Sequence, residues 1–373
     1  MNYNDLYNRR YDKIKDTVAF KNKSVTTIYN GSATPAAAEG ITLAEYTSNP
    51  ETTMKHFLHY INRLNSIAPI DGIQGAHPAY INIGLAMGGW SLIKMPGREL
   101  PENSVWQVEE KERITPSDYD YIIENGKEAM FKKLMPEIVN QNDFQLFLKY
   151  IEKAPQNIQT YIDSGYPIII GAMCQHPFET LSGGRGMNNF FLDCYKIPDK
   201  IKAVQDSMIK SICAQIEQLP KEKYVLAVFI GCAQGASNMV NQKIWDKLVW
   251  PNMKEIVAIV VKRGFIPLLH WDACWDRDIE CLKDLSAKTV ILNTDGGTDL
   301  SRARKLLGDH VAFMGDVPGP LLALASKQEV TDYVKHLIDD VGPQGLFLCP
   351  GCDAPATAKF ENMAAMYETA YKY

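Results

Sequence analysis

The stretch Phe265 to Trp275, FIPLLHWDACW, ends an apolar run on a histidine and follows it at once with aspartate and cysteine. Ile266, Pro267, Leu268 and Leu269, bounded by Gly264, read as a short strand buried on both faces, which is the signature of a parallel sheet. His270 then falls where the strand runs out into a loop. In open α/β sheets and α/β barrels that carboxyl-end face is where chemistry collects. A second apolar run far downstream, Gly345 to Asp353 (GLFLCPGCD), delivers Cys349 and Cys352 to the same face. A parallel sheet brings strand ends together however distant they are in sequence, so an imidazole and thiols converge there, and zinc is the natural occupant.

Working outward, strand-like runs begin near residues 25, 79 (Ala79 to Gly84), 167, 224 (Tyr224 to Gly231), 265, 289, 311 and 346, mostly alternating with helical spacing. Eight βα units predict a (β/α)8 TIM barrel occupying residues 1–373 as one domain. Residues 1–24 form an N-terminal extension, with an amphipathic helix over residues 3–20. An insertion spans residues 86–115, broken by glycines and prolines, with a hairpin suggested by Ser104 to Glu109. Helices are expected over 52–64, 116–139, 143–164, 199–218, 242–262, 279–285, 300–307, 327–340 and 360–371. Gly183 to Asn189 (GGRGMNN) reads as a glycine-rich loop. It lacks the Lys and Ser/Thr of a P-loop, so a phosphate cradle is disfavoured.

Composition limits the function classes. Hydrophobic residues make up 46% and charged residues 22% of the 373, the balance of a globular chain with a sizeable core. A net charge of -5 and a pI near 5.9 give no footprint for nucleic acid. No run approaches the roughly 18 apolar residues of a membrane helix, and the amino terminus lacks a signal-peptide core, so the expectation is a cytoplasmic protein without a membrane partner. Eight dispersed cysteines (174, 194, 213, 232, 274, 281, 349, 352) then argue for buried thiols and metal ligands over disulfides.

On the predicted fold the barrel mouth receives Cys174 and His176 from the third strand, Cys232 from the fourth, and His270, Asp272 and Cys274 from the fifth. Asp295, Asp316, Cys349 and Cys352 follow from the sixth, seventh and eighth. His270 and Asp272 stand two apart on an extended segment and so project to one side. A catalytic zinc needs three protein ligands and an open position, which His270, Cys352 and either Asp272 or Cys274 would satisfy. Cys349, Cys232 and Cys174 are reserves. Asp316, in MGDVPGP, is a candidate for touching substrate. Cys349 and Cys352 also form a C-P-G-C pair, but a thiol redox motif belongs at a helix amino terminus early in a thioredoxin-like unit, and this one closes a long chain. Trp271 and Trp275 read as packing residues beside the ligands.

From about Gly165 onward, GFIPLLH, the strand reaching Asp295, MGDVPGPLL and CPGCDAPATAKFENMAAM together resemble the uroporphyrinogen decarboxylase superfamily of (β/α)8 barrels. The most specific piece is the closing Gly-Cys-Asp with Glu361, Asn362 and Met363. Two chemistries are implied. Uroporphyrinogen decarboxylase itself uses no metal, and grips a many-carboxylate tetrapyrrole with arginines on an amino-terminal loop and an aspartate against the pyrrole nitrogens. Here the loop after the first strand, NGSATPAAAEG, contains no arginine. The corrinoid-linked methyltransferases instead bind zinc through a His-x-Cys pair on the fifth strand and the cysteine of the closing Gly-Cys. His270 and Cys352 match, while Asp272 stands where that branch has cysteine, leaving a harder ligand and a stronger Lewis acid. The resemblance implies a zinc-dependent methyltransferase acting on a small methylated substrate or thiol, with the corrinoid (cobalamin) carried by a partner protein. The rivals are a tetrapyrrole decarboxylase and a barrel that only binds a corrinoid partner or a thiol.

Overall fold

A computed structural model describes residues 3–75, 78–222 and 225–373. The barrel strands are β1 (Thr26–Tyr29), β2 (Gly72–Ile73), β3 (Ile170–Gln175), β4 (Ala227–Gly231), β5 (Ile266–Trp271), β6 (Ile291–Thr294), β7 (Ala312–Val317) and β8 (Leu346–Pro350). All pair in parallel, in the order β2-β1-β8-β7-β6-β5-β4-β3. The curled sheet closes between its edges through the segment entering β3. Ile73 N–H donates to the Pro167 carbonyl, Ile169 N–H to that of Ile73 and Ile170 N–H to that of Gln74, at 2.8–2.9 Å. This is the (β/α)8 arrangement that the alternation of runs predicts.

Two apolar layers follow from the period of two along each strand. Phe229, Leu268, Ile291, Met314, Phe347 and Cys349 fill the barrel interior, joined by Ile14 and Val18 of helix α1 (Tyr3–Val18), which closes the amino end. Val228, Ile230, Leu269, Trp271, Leu292, Phe313 and Leu348 face outward under the helices. That parity decides which strand-end residues reach the mouth. Among the described residues no helix is long and apolar enough to cross a membrane.

Several expectations change. Residues 79–84 are not a strand but part of the helix Pro78–Gly88, where Ile83, Ala86 and Met87 bury one face at helical spacing. The second strand is only Gly72–Ile73, too short for any periodic signal. GGRGMNN is not a loop: the helix Pro177–Arg185 runs into it and Met187–Lys196 leaves it, with Gly186 at φ +76° as the joint. The helix expected over 116–139 divides at Gly126 into Asp118–Asn125 and Lys127–Ile138. The loop after β1 holds a short helix, Thr34–Ala38. Within the 86–115 stretch, Leu92–Lys94 pairs antiparallel with Gln107–Glu109. The helix expected over 242–262 carries a π turn at Trp245–Val249 before Trp250–Lys262, and 279–284 is a 3-10 helix. Tyr224, expected to open the fourth strand, and His77 lie outside the described residues.

Candidate metal centre

β5 points Leu268 and His270 inward and Leu269 and Trp271 outward, so His270 is the first side chain of that strand to clear the interior packing. Trp271 and Trp275 are fully buried and stacked, with centroids 4.1 Å apart, beneath the outer layer. They anchor the turn carrying Asp272: the Trp275 indole N–H donates to the Asp272 carbonyl at 2.7 Å. Ala273, at φ +70°, reverses the chain there, its N–H on the Asp295 carboxylate at 3.0 Å. Asp295 thereby secures a loop and does not face the ligands.

Cys352 arrives by a different device. Gly351 passes so close to β6's exit loop that a Cβ would sit 2.7 Å from the Asp295 backbone, so only glycine fits. The Gly351 carbonyl accepts from Asn293 Nδ2 at 3.0 Å, and the Cys352 carbonyl accepts from Asn30. The Gly-Cys pair is thus a fold requirement followed by a side chain delivered to the His270 end of the barrel.

The three side chains meet. His270 Nε2 lies 3.2 Å from Asp272 Oδ2 and 3.6 Å from Cys352 Sγ, which is 3.6 Å from Asp272 Oδ2. Asp272 Oδ1 is buried and has no hydrogen-bond partner. Zn–N and Zn–O bonds of about 2.0–2.1 Å and a Zn–S bond of about 2.3 Å set tetrahedral ligands about 3.3 Å apart for N and O, and about 3.5 Å for either to S. The observed triangle has those dimensions, and the orphaned oxygen is the kind of group a cation satisfies. The residues therefore fit a zinc ion, to which they would offer one nitrogen, one oxygen and one sulfur ligand.

The tautomer is set as well. Asn293, wholly buried on β6, donates through Nδ2 to the Met314 and Gly351 carbonyls, both at 3.0 Å, which fixes its amide orientation. Its Oδ1 accepts from His270 Nδ1 at 2.7 Å and from Gln74 Nε2 at 3.2 Å. His270 therefore carries its proton on Nδ1 and offers the Nε2 lone pair to the mouth. The Phe229 ring packs on the imidazole at 4.9 Å between centroids. Without an ion, burial pulls the His270 pKa down, but the bonds to Asp272 and Cys352 outweigh it and hold it well above its ordinary value. Burial raises the Cys352 thiol.

The other candidates stand apart. Cys274, two residues past Asp272, lies outside the His270, Asp272 and Cys352 grouping, in which every ligand atom is within 4.8 Å of the others. Cys174 faces outward beneath the helices, and burial pushes it up to about 12. His176 is fully buried, with Nδ1 accepting from the Phe178 N–H and Nε2 on the Val249 carbonyl, both at 3.1 Å. Burial drives it down to about 3. Cys232 is wholly buried beyond β4, and Cys349 points into the barrel core below the mouth. Asp316 accepts from Tyr333 at 2.9 Å, and burial pushes it up to about 6.

Two neighbours escaped the sequence reading. Asn293 was visible as a polar residue inside the buried run VILNT, an anomaly that signals a function. Glu179, in the first turn after β3, carried no such mark, since an acidic residue there is ordinary. It stands near the Asp272 and His270 charges, accepts from the Gln234 N–H at 2.5 Å, and is pushed up to about 7 by burial, with Asp272 adding to the rise.

Comparison with known proteins agrees with this fold. The uroporphyrinogen decarboxylase (URO-D) family model matches residues 121–373. A methyltransferase from Methanosarcina mazei superposes with a TM-score of 0.69 at 13% identity, covering 97% of this chain and 98% of that one. A B12-independent methionine synthase from Shewanella sp. W3-18-1, in complex with selenomethionine, aligns at 12% identity and a TM-score of 0.40, over 59% of this chain and 65% of that one. No curated protein matches. A family match over more than half of the chain, on a closed parallel barrel, places this protein in the URO-D family.

Proposed function

We propose that the protein is a zinc-dependent methyltransferase that moves a methyl group between a small methylated substrate or thiol and the cobalt of a corrinoid held by a separate protein. The observation that carries this reading is the triangle of His270 Nε2, Asp272 Oδ2 and Cys352 Sγ at the barrel mouth. The same fold serves a methyltransferase in Methanosarcina mazei. When bound, zinc would supply a Lewis acid that holds a thiol as thiolate or polarises the heteroatom bearing the methyl group.

The chain's own residues supply the rest. Asn293 holds the imidazole, Asp272 contributes a hard oxygen, and Cys352 the soft ligand. Glu179, pushed up to about 7, is suited to give a proton to the demethylated heteroatom or to take one from it. Asp316, largely protonated below about pH 6, is assigned to substrate orientation. Arg185, in the GGRGMNN stretch, is already committed to Asp193 at 2.7 Å and to Glu112, which takes it out of use as a guanidinium clamp for a many-carboxylate tetrapyrrole.

Mixing the zinc-loaded protein with a reduced corrinoid and a panel of methoxy, methylamine and methylthio compounds tests the reading. The account expects the cobalt spectrum to change with at least one compound, and not with His270→Ala. A protein that retains no zinc and leaves the spectrum unchanged with every compound would contradict it.

A further inference from the structure

A side cavity of about 250 Å³ lies against the carboxyl end of β3, between Met173–Gln175 and the helices Pro78–Gly88, Lys127–Ile138 and Pro198–Glu217. Leu85, Trp90, Phe131 and Met173 supply apolar walls, and Lys127, Glu128, Gln175 and Gln215 are among its polar groups. Gln175 is the lining residue that relates the cavity to the metal centre. Gln175, Gly231 and His270 stand in register on three neighbouring strands, so Gln175 and His270 are two strand spacings apart, roughly 10 Å between backbones. Gln175 lies over Gly231, where a Cβ would meet its Oε1 at 2.7 Å, so only a glycine on β4 leaves room for the side chain that stands between the cavity and His270.

Lys127 stands at the helix Lys127–Ile138 with a neutral partner: its Nζ donates to Gln215 Oε1 at 3.2 Å. Its neighbour Glu128 accepts from Ser211 and from Gln215 Nε2 at 3.1 Å, on the helix Pro198–Glu217. Among the described residues no ion pair engages the ammonium. Burial lowers the Lys127 pKa, and Glu128 and Cys174 only partly offset this. A partly buried cation beside aromatic walls is matched by an anion on an apolar body. The volume falls just below the roughly 300–1,000 Å³ of pockets for drug-sized ligands, so the occupant is small.

We propose that this side cavity binds the body of the substrate, a small carboxylate with an apolar framework, with its carboxylate on Lys127 and its methyl-bearing end on the Gln175 side, toward His270. The assignment rests on the function proposed above, but binding can be measured without turnover. The zinc-loaded full-length protein would be titrated calorimetrically with benzoate, phenylacetate and hexanoate, and with the three corresponding amides. At least one carboxylate should bind saturably, its amide about tenfold or more weakly, and Lys127→Met should reduce the carboxylate to the level of the amide while Lys127→Arg restores much of it. Absence of saturable carboxylate binding, or equal binding by wild type and Lys127→Met, overturns the cavity assignment. A carboxylate site on a protein without transferase activity would overturn the proposed function and leave this site standing.

Discussion

The ends of β3 and β5 carry nearly the same letters and do opposite things. Cys174-x-His176 and His270-x-Asp272 each pair an imidazole with a second side chain of metal-ligating type two residues away, at the carboxyl ends of barrel strands separated by one other strand. On β5 the parity of the strand turns His270 into the mouth, and Asn293 from β6 fixes the proton on its far nitrogen. On β3 the parity turns Met173 and Gln175 inward and Cys174 outward, while His176 leaves the strand to cap the helix Pro177–Arg185. Ligand chemistry in a sequence becomes a site only when the pleat aims it and a neighbouring strand supplies the second hydrogen bond.

The largest effect should separate the two histidines. His270→Ala should lower zinc content from about one per chain to none and depress methyl transfer by a factor of roughly a thousand or more, with the fold intact. His176→Ala should keep its zinc, measured by plasma emission, but lose about 1–3 kcal/mol of stability from the severed buried bonds. Loss of metal in both variants would erase the contrast. Asn293→Leu, close in volume, tests the second half of the comparison. Zinc affinity, measured by chelator competition, should fall about 10- to 100-fold, and an unchanged affinity would remove Asn293 from the account.

Asp316 sharpens the comparison through pH. Burial pushes it from its ordinary value up to about 6, so the folded protein holds this proton more tightly than the unfolded chain. The associated stability is complete below about pH 4 and is lost as pH rises through about 6. Asp316→Asn should therefore be more stable than wild type at pH 8 by roughly 2–3 kcal/mol, and indistinguishable below about pH 4, in thermal melts. A constant difference across pH would show that Asp316 is charged in the fold. The smallest effect is expected for Cys349→Ala, about 1 kcal/mol of lost core packing with zinc unchanged, because that thiol faces the barrel interior.

Much of this was legible because buried parallel strands are continuous apolar runs. The runs ending in His270 and Cys349 announced their strands, and the residues at and just beyond their ends the cluster of His270, Asp272 and Cys352. Gly72–Ile73 was invisible because two residues carry no period, so the stronger-looking Ala79–Gly84 was read in its place, until Ile83, Ala86 and Met87 proved to share a helical face. GGRGMNN looked like a loop because glycines usually break helices, yet only Gly186 does so there. Cys174, Cys232 and Cys349 were placed at the mouth by position, but side-chain direction is set by pleat and local turn, which the order of residues alone does not reveal. Asn293 acts through cross-strand register and Glu179 through concavity, both properties of the assembled barrel.

The account rests on one nitrogen, one oxygen and one sulfur sharing an ion. Zinc K-edge X-ray absorption of the metal-loaded protein tests this most directly. It should show a single sulfur at about 2.3 Å with nitrogen and oxygen ligands at about 2.0–2.2 Å, the sulfur vanishing in Cys352→Ser. A shell without sulfur, a shell of several sulfurs, or a sulfur that persists in Cys352→Ser would contradict it.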